Sequence, residues 1–199
     1  MNPGKRIVYL HGFNSSPASV KGCQLARAIA ALRDDARPDY FLPQLPPAPD
    51  EAIRTICAWV ERSTLEAPSL TFIGSSLGGF YATWLAERYA AKAVLINPAI
   101  GPEIDLAPYV GRQRNLYIGE EYEFHVAYLD ALAALRVQRI TRADRYFLLV
   151  QAGDEVIDYR VAVRFYAGAW QFVQGGGSHA FDDFETQIPA VLRFAGVRP

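Results

Sequence analysis

The chain has 199 residues, of which 51% are hydrophobic and 21% are charged, a balance that predicts one domain with a sizeable core and excludes disorder over most of the length. Its 20 basic and 21 acidic residues give a net charge of −1, which does not favour nucleic acid as a partner. No apolar run is long enough to span a membrane, and residues 1–6 lack the apolar stretch of a signal peptide, so we expect a cytoplasmic protein.

Short apolar runs alternate with segments of helical periodicity along the whole chain. The expected strands are residues 6–10, 40–42, 70–73, 93–96, 146–150 and 170–173. The expected helices are residues 19–33, 50–63, 77–89, 121–135, 159–167 and 184–194. Four of the strands are nearly continuous apolar runs, a pattern typical of a parallel sheet that is covered on both faces. The alternation therefore predicts an α/β fold with a mostly parallel sheet and helices on both sides.

Two segments interrupt this alternation. Residues 42–49 form a Pro-rich connector before a helix. Residues 97–142 separate two expected strands and are far longer than a simple crossover requires. We expect residues 98–142 to form a partly helical lid or insertion over the functional site of a single domain.

The cysteine and histidine residues give no sign of a metal site. Cys23 and Cys57 lie in expected helices among apolar neighbours, so we expect two reduced, partly buried thiols. His11, His125 and His179 have no second ligand at a metal-binding spacing, and no cofactor is expected.

The strongest chemical motif follows the third expected strand. Gly74, Ser76 and Gly78 form the pattern G-x-S-x-G between a strand and a helix, which is the context of a nucleophilic serine on a tight turn. Bulky side chains two residues away on either side would clash with such a turn. Ser75 does not fit the spacing, because Leu77 lies two residues after it. The alternative is a turn of small residues that only packs a helix on the sheet.

A serine nucleophile needs a base and an acid from later loops. His179 follows the last expected strand and a glycine run, and it is the candidate base. Asp154, Glu155 and Asp158 all follow the preceding strand. Asp154 comes first and is the favoured acid, whereas Asp158 is placed to cap the next helix. The resulting order of Ser76, acid and His179 is that of the α/β-hydrolases.

An oxyanion formed at the serine would need backbone N–H donors. The candidates are the amide of Leu77 and the amide of Phe13, which lies in the loop after the first strand. Candidate substrate contacts are His11, His125 and Tyr128. The alternative for His11 is a structural hydrogen bond within its loop, and the alternative for His125 is packing within the insertion.

Six stretches of the sequence together resemble the YqiA-like small bacterial esterases of the α/β-hydrolase superfamily. They are residues 9–17, 43–47, 74–85, 97–99, 153–159 and 176–181. The resemblance implies an α/β-hydrolase fold, esterase activity on short acyl esters with acyl-CoA thioesters as a further substrate class, and a triad at Ser76, Asp154 and His179. Gly175 departs from the family pattern, which has an acidic residue there, and residues 106–142 match least.

These observations favour a serine hydrolase that acts on a small-molecule acyl ester or thioester without a cofactor. A catalytically silent binding module with the hydrolase fold is the main alternative, and a peptidase of the same fold is a further one. The sequence leaves the physiological substrate and the oligomeric state open.

Overall fold

The strands of the fold come from the apolar runs of the sequence, together with two polar segments of the insertion. The computed structural model describes residues 4–62 and 69–197. The strands are β1 (Arg6–Leu10), β2 (Asp39–Phe41), β3 (Leu70–Ser75), β4 (Lys92–Ile96), β5 (Gly111–Arg114), β6 (Glu121–Phe124), β7 (Tyr146–Gln151) and β8 (Trp170–Gln174). The helices are α1 (Val20–Ala30), α2 (Pro49–Glu61), α3 (Leu77–Tyr89), α4 (Pro102–Asp105), α5 (Val126–Ala134), α6 (Tyr159–Phe165) and α7 (Ile188–Phe194).

Six strands form one sheet in the order β2-β1-β3-β4-β7-β8, and every neighbouring pair in it is parallel. Each of the six expected strands is present, and its ends lie within two residues of those expected. The prediction of a mostly parallel sheet is therefore confirmed. Since all the strands run the same way, their carboxyl ends and the loops that follow them meet at one edge of the sheet.

Both faces of the sheet are buried, which explains the continuous apolar runs. Along β1, Val8 and Leu10 belong to a core cluster that includes residues of α2, α3 and α6. Ile7 and Tyr9 belong to a second cluster that includes residues of α1 and α7. All four side chains are essentially inaccessible to solvent, so each face of this strand supplies one half of the core.

The insertion differs from the expectation. The helix predicted for residues 121–135 is instead the strand β6 followed, after His125, by the shorter helix α5. In β6, Tyr122 and Phe124 alternate with two glutamates, and this period of two is that of a strand paired with β5. The prediction of a continuous helix was therefore wrong at its first turn.

Other boundaries also moved. The helix predicted for residues 184–194 begins as the 3-10 turn Phe184–Gln187, and α7 starts only at Ile188, with proline at its first turn. The helix expected at 19–33 ends at Ala30. The predicted end of the second helix, residue 63, lies outside the described residues.

The structure also bears on the cysteines, on membrane-spanning helices and on metal-binding clusters in the described residues. Cys23 and Cys57 form no disulfide and are partly buried. In residues 4–62 and 69–197, no helix is long and apolar enough to cross a membrane. The same residues contain no group of three or more His, Cys, Asp or Glu side chains that could hold a metal ion.

Candidate active site

Ser76 occupies the sharp turn between β3 and α3. Its backbone has φ 55° and ψ −122°, a conformation that a residue with a side chain rarely adopts. The turn is fixed by hydrogen bonds: the Ser76 N–H donates to the Ile96 carbonyl at 3.0 Å, and the Ser76 carbonyl accepts from Gly79 at 2.8 Å and from Ala99 at 3.1 Å. Strain of this kind persists only where the surroundings fix the backbone, and it is common at functional sites.

The glycines around Ser76 are required by close backbone contacts. A Cβ atom on Gly74 would lie 2.1 Å from the Gly78 carbonyl oxygen, and one on Gly78 would lie 2.0 Å from the Leu10 carbonyl oxygen. Gly79 is nearly as constrained, because its Cβ would lie 2.7 Å from the Cβ of Pro98. The G-x-S-x-G spacing is therefore a steric requirement of the way α3 starts against β1 and β3.

Ser76, His179 and Asp154 lie together at the carboxyl edge of the sheet. His179 Nε2 is 3.0 Å from Ser76 Oγ, and His179 Nδ1 is 2.8 Å from Asp154 Oδ2 and 3.0 Å from Oδ1. Because an ionised carboxylate can only accept, this network assigns the proton of the neutral ring to Nδ1. The lone pair of Nε2 then faces the hydroxyl of Ser76.

The environment of Asp154 keeps its carboxylate charged. The side chain is only 2% exposed, and this burial raises its pKa. Hydrogen bonds from His179 and from the N–H groups of Ile157 and Val156 outweigh that effect, and the pKa of Asp154 is lowered below its ordinary value. Asp154 is therefore ionised at neutral pH, as a partner of the imidazole must be.

The three acids that follow β7 have different surroundings. Glu155 accepts the backbone N–H of His179 at 2.9 Å through Oε2, so it contacts the loop and not the ring. Asp158 accepts the N–H of Arg160 at 3.0 Å and caps α6, as the sequence indicated. Of these three acids, Asp154 is the one that is hydrogen-bonded to the His179 ring.

Two buried amide side chains hold the loop that carries His179, and the sequence analysis missed both. Gln151 Oε1 accepts the N–H groups of Ser178 at 3.0 Å and Asp182 at 2.8 Å, while its Nε2 donates to the Asp182 carbonyl at 2.9 Å. Asn97 Nδ2 donates to the carbonyls of Ser178 at 3.0 Å and His179 at 3.2 Å. The available signal was their position, at the ends of β7 and β4 respectively.

The three glycines before His179 differ in how strictly their positions require glycine. Gly176 and Gly177 have φ of 70° and 76°, and a Cβ on Gly177 would lie 2.1 Å from Gln151 Oε1. Gly175 has no atom within 4 Å of its Cβ position. The departure from the family pattern at Gly175 therefore lies in open space and leaves the contacts of the loop intact.

His11 is fixed between two backbone groups. Its Nε2 accepts the N–H of Leu45 at 3.1 Å, and its Nδ1 donates to the carbonyl of Gly12 at 3.0 Å. Burial lowers the pKa of the imidazole, which favours the neutral ring that this pattern needs. Both ring nitrogens thus have the hydrogen bonds that the alternative interpretation describes, and the role of His11 as a substrate contact stays a prediction.

The backbone amides of Phe13 and Leu77, which are the predicted oxyanion donors, are near Ser76. In the described chain, the hydrogen bonds leave the amides of Phe13 and Leu77 without an acceptor. Leu77 is the first residue of α3, where N–H groups are unpaired and the helix dipole favours negative charge. The Phe13 loop passes close to the serine, because the Cβ position of Gly12 is 3.8 Å from Ser76 Oγ.

The β5–β6 hairpin of the insertion is bonded to this same loop through Asn14. The Asn14 Oδ1 accepts the hydroxyl of Tyr122 at 2.6 Å, and its Nδ2 donates to Gln113 Oε1 at 3.1 Å. The Asn14 carbonyl also accepts the N–H of Leu116 at 3.0 Å. The insertion is thus attached next to Phe13, which was not visible in the sequence.

His125 and Tyr128 lie farther along the insertion. His125 is exposed just before α5, and its ring packs against that of Tyr128 in a T-shaped arrangement with a centroid distance of 5.2 Å. Tyr128 packs in turn on Phe124 at 5.5 Å. Neither residue is among those that line the two cavities beside Ser76 and Leu77. Their role as substrate contacts stays a prediction.

Residues 12–15 line two cavities. One of about 520 Å³ is lined by Ser76 and His179, and the other, of about 290 Å³, is lined by Leu77 and Tyr81. Ser76 and Leu77 are therefore each beside a cavity with room for a small molecule.

The parallel sheet, the strained serine turn between β3 and α3 and the later acid and histidine loops define the α/β-hydrolase fold. Similar solved structures include a protein from Agrobacterium vitis S4 (TM-score 0.76, 16% identity, covering 100% of this chain and 90% of that one). The Est1E protein of Butyrivibrio proteoclasticus with ferulic acid bound gives a TM-score of 0.69 at 16% identity, with 96% and 87% covered. A monoacylglycerol lipase of Paleococcus ferrophilus gives 0.67 at 13%, with 97% and 95% covered. At these identities the likeness shows a shared fold.

The sequence places the chain more narrowly. The model of the uncharacterised protein family UPF0227 matches residues 6–196, so the chain belongs to that family. This is the YqiA family, and the resemblance carried by the six sequence stretches is confirmed.

Proposed function

We propose that this protein is a serine hydrolase of carboxylic esters or thioesters. The observation that carries the proposal is the continuous chain of contacts from Ser76 Oγ to His179 Nε2 at 3.0 Å and from His179 Nδ1 to Asp154 Oδ2 at 2.8 Å. A hydroxyl, a base and a buried carboxylate in this order can generate a nucleophile at neutral pH. Three of the structures with the same fold are named as an esterase domain, a monoacylglycerol lipase and an S-formylglutathione hydrolase, which agrees with the proposal.

In the proposed reaction, Ser76 Oγ attacks the carbonyl carbon while its proton passes to His179 Nε2. Asp154 stays ionised, holds the ring by Nδ1 and stabilises the imidazolium. The amides of Phe13 and Leu77 donate to the oxyanion. His179 then gives its proton to the leaving oxygen or sulfur, and an acyl group remains on Ser76. A water molecule, deprotonated by His179, releases the acid and restores the enzyme.

We further propose that residues 98–142 form a fixed insertion that borders the active site. The hairpin in this segment is hydrogen-bonded to Asn14, next to one of the proposed oxyanion donors. Short acyl esters and acyl-CoA thioesters are the substrate classes that the family resemblance suggests, and the cavities of about 290 and 520 Å³ have room for a small substrate.

The test is covalent labelling followed by turnover. A fluorophosphonate reports an activated serine without requiring the physiological substrate, and peptide mapping identifies the modified residue. We expect a single adduct on Ser76 that is lost in His179→Ala. With p-nitrophenyl butyrate and a butyryl thioester, Ser76→Ala should lower kcat by about 10⁴-fold or more, because the triad members act as a unit.

Ser75→Ala is the matched control, since Ser75 is adjacent and buried but at the wrong spacing. It should retain labelling at Ser76. Ester turnover that persists in purified Ser76→Ala would contradict the proposal. A folded wild-type protein that neither labels nor turns over either substrate would favour the binding module.

A further inference from the structure

The tip of the β5–β6 hairpin exposes three consecutive apolar side chains. Leu116, Tyr117 and Ile118 are 81%, 47% and 51% exposed. Single exposed apolar residues are common on protein surfaces, but a contiguous group of them marks a binding surface or a risk of aggregation. The position of this group decides between these alternatives.

The tip forms one wall of the cavity that contains the proposed nucleophile. Leu116 and Tyr117 line the same space of about 520 Å³ as Ser76 and His179. Val20, which is 64% exposed at the start of α1, also lines it. Two of the three apolar side chains, Leu116 and Tyr117, therefore lie beside the candidate reacting atoms and not on a remote face.

The backbone of the tip is fixed by Asn115, which is 8% exposed. Asn115 Oδ1 accepts the N–H groups of Tyr117 at 3.0 Å and Ile118 at 3.2 Å, and its Nδ2 donates to the Ser15 carbonyl at 2.7 Å. An apolar surface that is held in place in this way loses less entropy when a ligand binds to it.

Three charged side chains of the same cavity already have hydrogen-bond partners in the protein. Lys21 Nζ donates to the Ala180 carbonyl at 2.5 Å, and Glu155 accepts the N–H of His179. Asp182 Oδ1 accepts the hydroxyl of Ser178 at 2.7 Å. These three contacts leave the apolar wall, with Leu116, Tyr117 and Val20, available to a ligand.

We propose that Leu116, Tyr117 and Val20 form a binding site for a hydrocarbon chain of the substrate. The proposal rests on the proposed function and deepens it: the substrate is an ester or thioester that carries an alkyl chain next to its reacting carbonyl. The hydrocarbon chain belongs either to the acyl group or to the alcohol of the substrate, since both are attached to the carbonyl carbon that would lie at Ser76.

Two substrate series distinguish these sources. One is p-nitrophenyl esters from acetate to octanoate, and the other is butyrate esters of alcohols from methanol to octanol. Each methylene that enters the site is expected to raise kcat/KM by up to about fourfold. The series that shows this rise identifies the part of the substrate that carries the chain.

The variant is Leu116→Gln, which keeps the backbone hydrogen bond of the hairpin to Asn14. It should lower the ratio of octyl-chain to shortest-chain kcat/KM by about tenfold in the responsive series. Ile104→Gln is the matched control, because Ile104 is 68% exposed but lines a different cavity. It should leave the ratio unchanged.

A second measurement needs no turnover. Calorimetric titration of octyl butyrate and p-nitrophenyl octanoate into Ser76→Ala protein should give binding that Leu116→Gln weakens about tenfold. The hydrocarbon site would be overturned if Ser76→Ala and the Ser76→Ala/Leu116→Gln double variant bound the esters equally. It would also be overturned if kcat/KM did not depend on chain length in either series. Binding that depends on Leu116 in a wild-type protein without turnover would support the hydrocarbon site and refute the hydrolase proposal alone.

Discussion

Gln151→Ala tests whether the position of His179 depends on buried hydrogen bonds. Gln151 is completely buried, and its Oε1 accepts two backbone N–H groups of the histidine loop, those of Ser178 and Asp182. Its Nε2 adds bonds to the Asp182 carbonyl at 2.9 Å and to Gln174 at 3.2 Å. The alanine variant removes all four bonds and leaves a space that a side-chain methyl cannot fill.

The magnitude follows from the two N–H groups that lose their acceptor. Each buried unpaired group costs roughly 1–3 kcal/mol, and partial access of water to the loop places the total near 2–4 kcal/mol. For a chain of this length, about 3 kcal/mol corresponds to a fall in Tm of roughly 6–12 °C. A displacement of His179 by about 1 Å would lower kcat by about 100-fold.

The assay measures the free energy of unfolding in urea, the rate of fluorophosphonate labelling of Ser76 and kcat on p-nitrophenyl butyrate. The matched control is Gln171→Ala on the adjacent strand. Gln171 Nε2 donates to the carbonyls of Val163 at 3.1 Å and Tyr166 at 2.8 Å, away from the histidine loop. Both variants should lose stability, but only Gln151→Ala should lose reactivity. Labelling at the wild-type rate in folded Gln151→Ala would refute the reasoning.

Two further predictions concern the acid and the hairpin. The pKa of Asp154 is lowered in the folded state, so its contribution to stability is complete above its unfolded pKa of about 3.9 and is lost as the pH falls through the folded value. Urea titrations below pH 4 should therefore show a smaller loss of stability in Asp154→Asn, and an equal slope would contradict this. Tyr122→Phe removes the hydroxyl donor to Asn14 and should lower kcat about tenfold with little change in KM. Tyr109→Phe, a change to a half-exposed tyrosine of the same insertion, should have no such effect, and equal kinetics in the two variants would count against a positioning role for the hairpin.

The sheet could be predicted because burial on both faces produces a distinctive sequence. In β1, β3, β4 and β7 nearly every side chain is buried, so apolar residues run without alternation. The serine turn could be predicted for a similar local reason. A Cβ atom on Gly74 or Gly78 would lie about 2 Å from a backbone carbonyl oxygen, so only glycine fits at these positions. That steric constraint appears in the sequence as a fixed spacing of glycines around Ser76.

The hairpin and the loop clamps could not be predicted, because their causes lie far apart in the chain. The strand β5 has the sequence GRQR, which has no apolar face. It is defined by its pairing with β6 and by the hydrogen bond that Asn14 donates to Gln113 across 99 positions. Asn97 and Gln151 act across 81 and 27 positions on Ser178. A polar residue at a strand end has many uses, and only the fold selects among them.

The backbone strain of the protein is concentrated around the candidate site. Six non-glycine residues in the described chain have positive φ, and one of them, Ala90, ends α3 in the ordinary left-handed manner. The other five lie in the loops after β1, β3, β4 and β8: they are Asn14, Ser76, Asn97, Phe181 and Asp183. Each such conformation costs on the order of 1–3 kcal/mol. A scaffold that only had to hold the sheet together could avoid this cost with glycine or a longer loop. The five conformations instead lie in the loops that carry or contact Ser76, His179 and Phe13, and the proposed reaction would need these three groups in a fixed geometry.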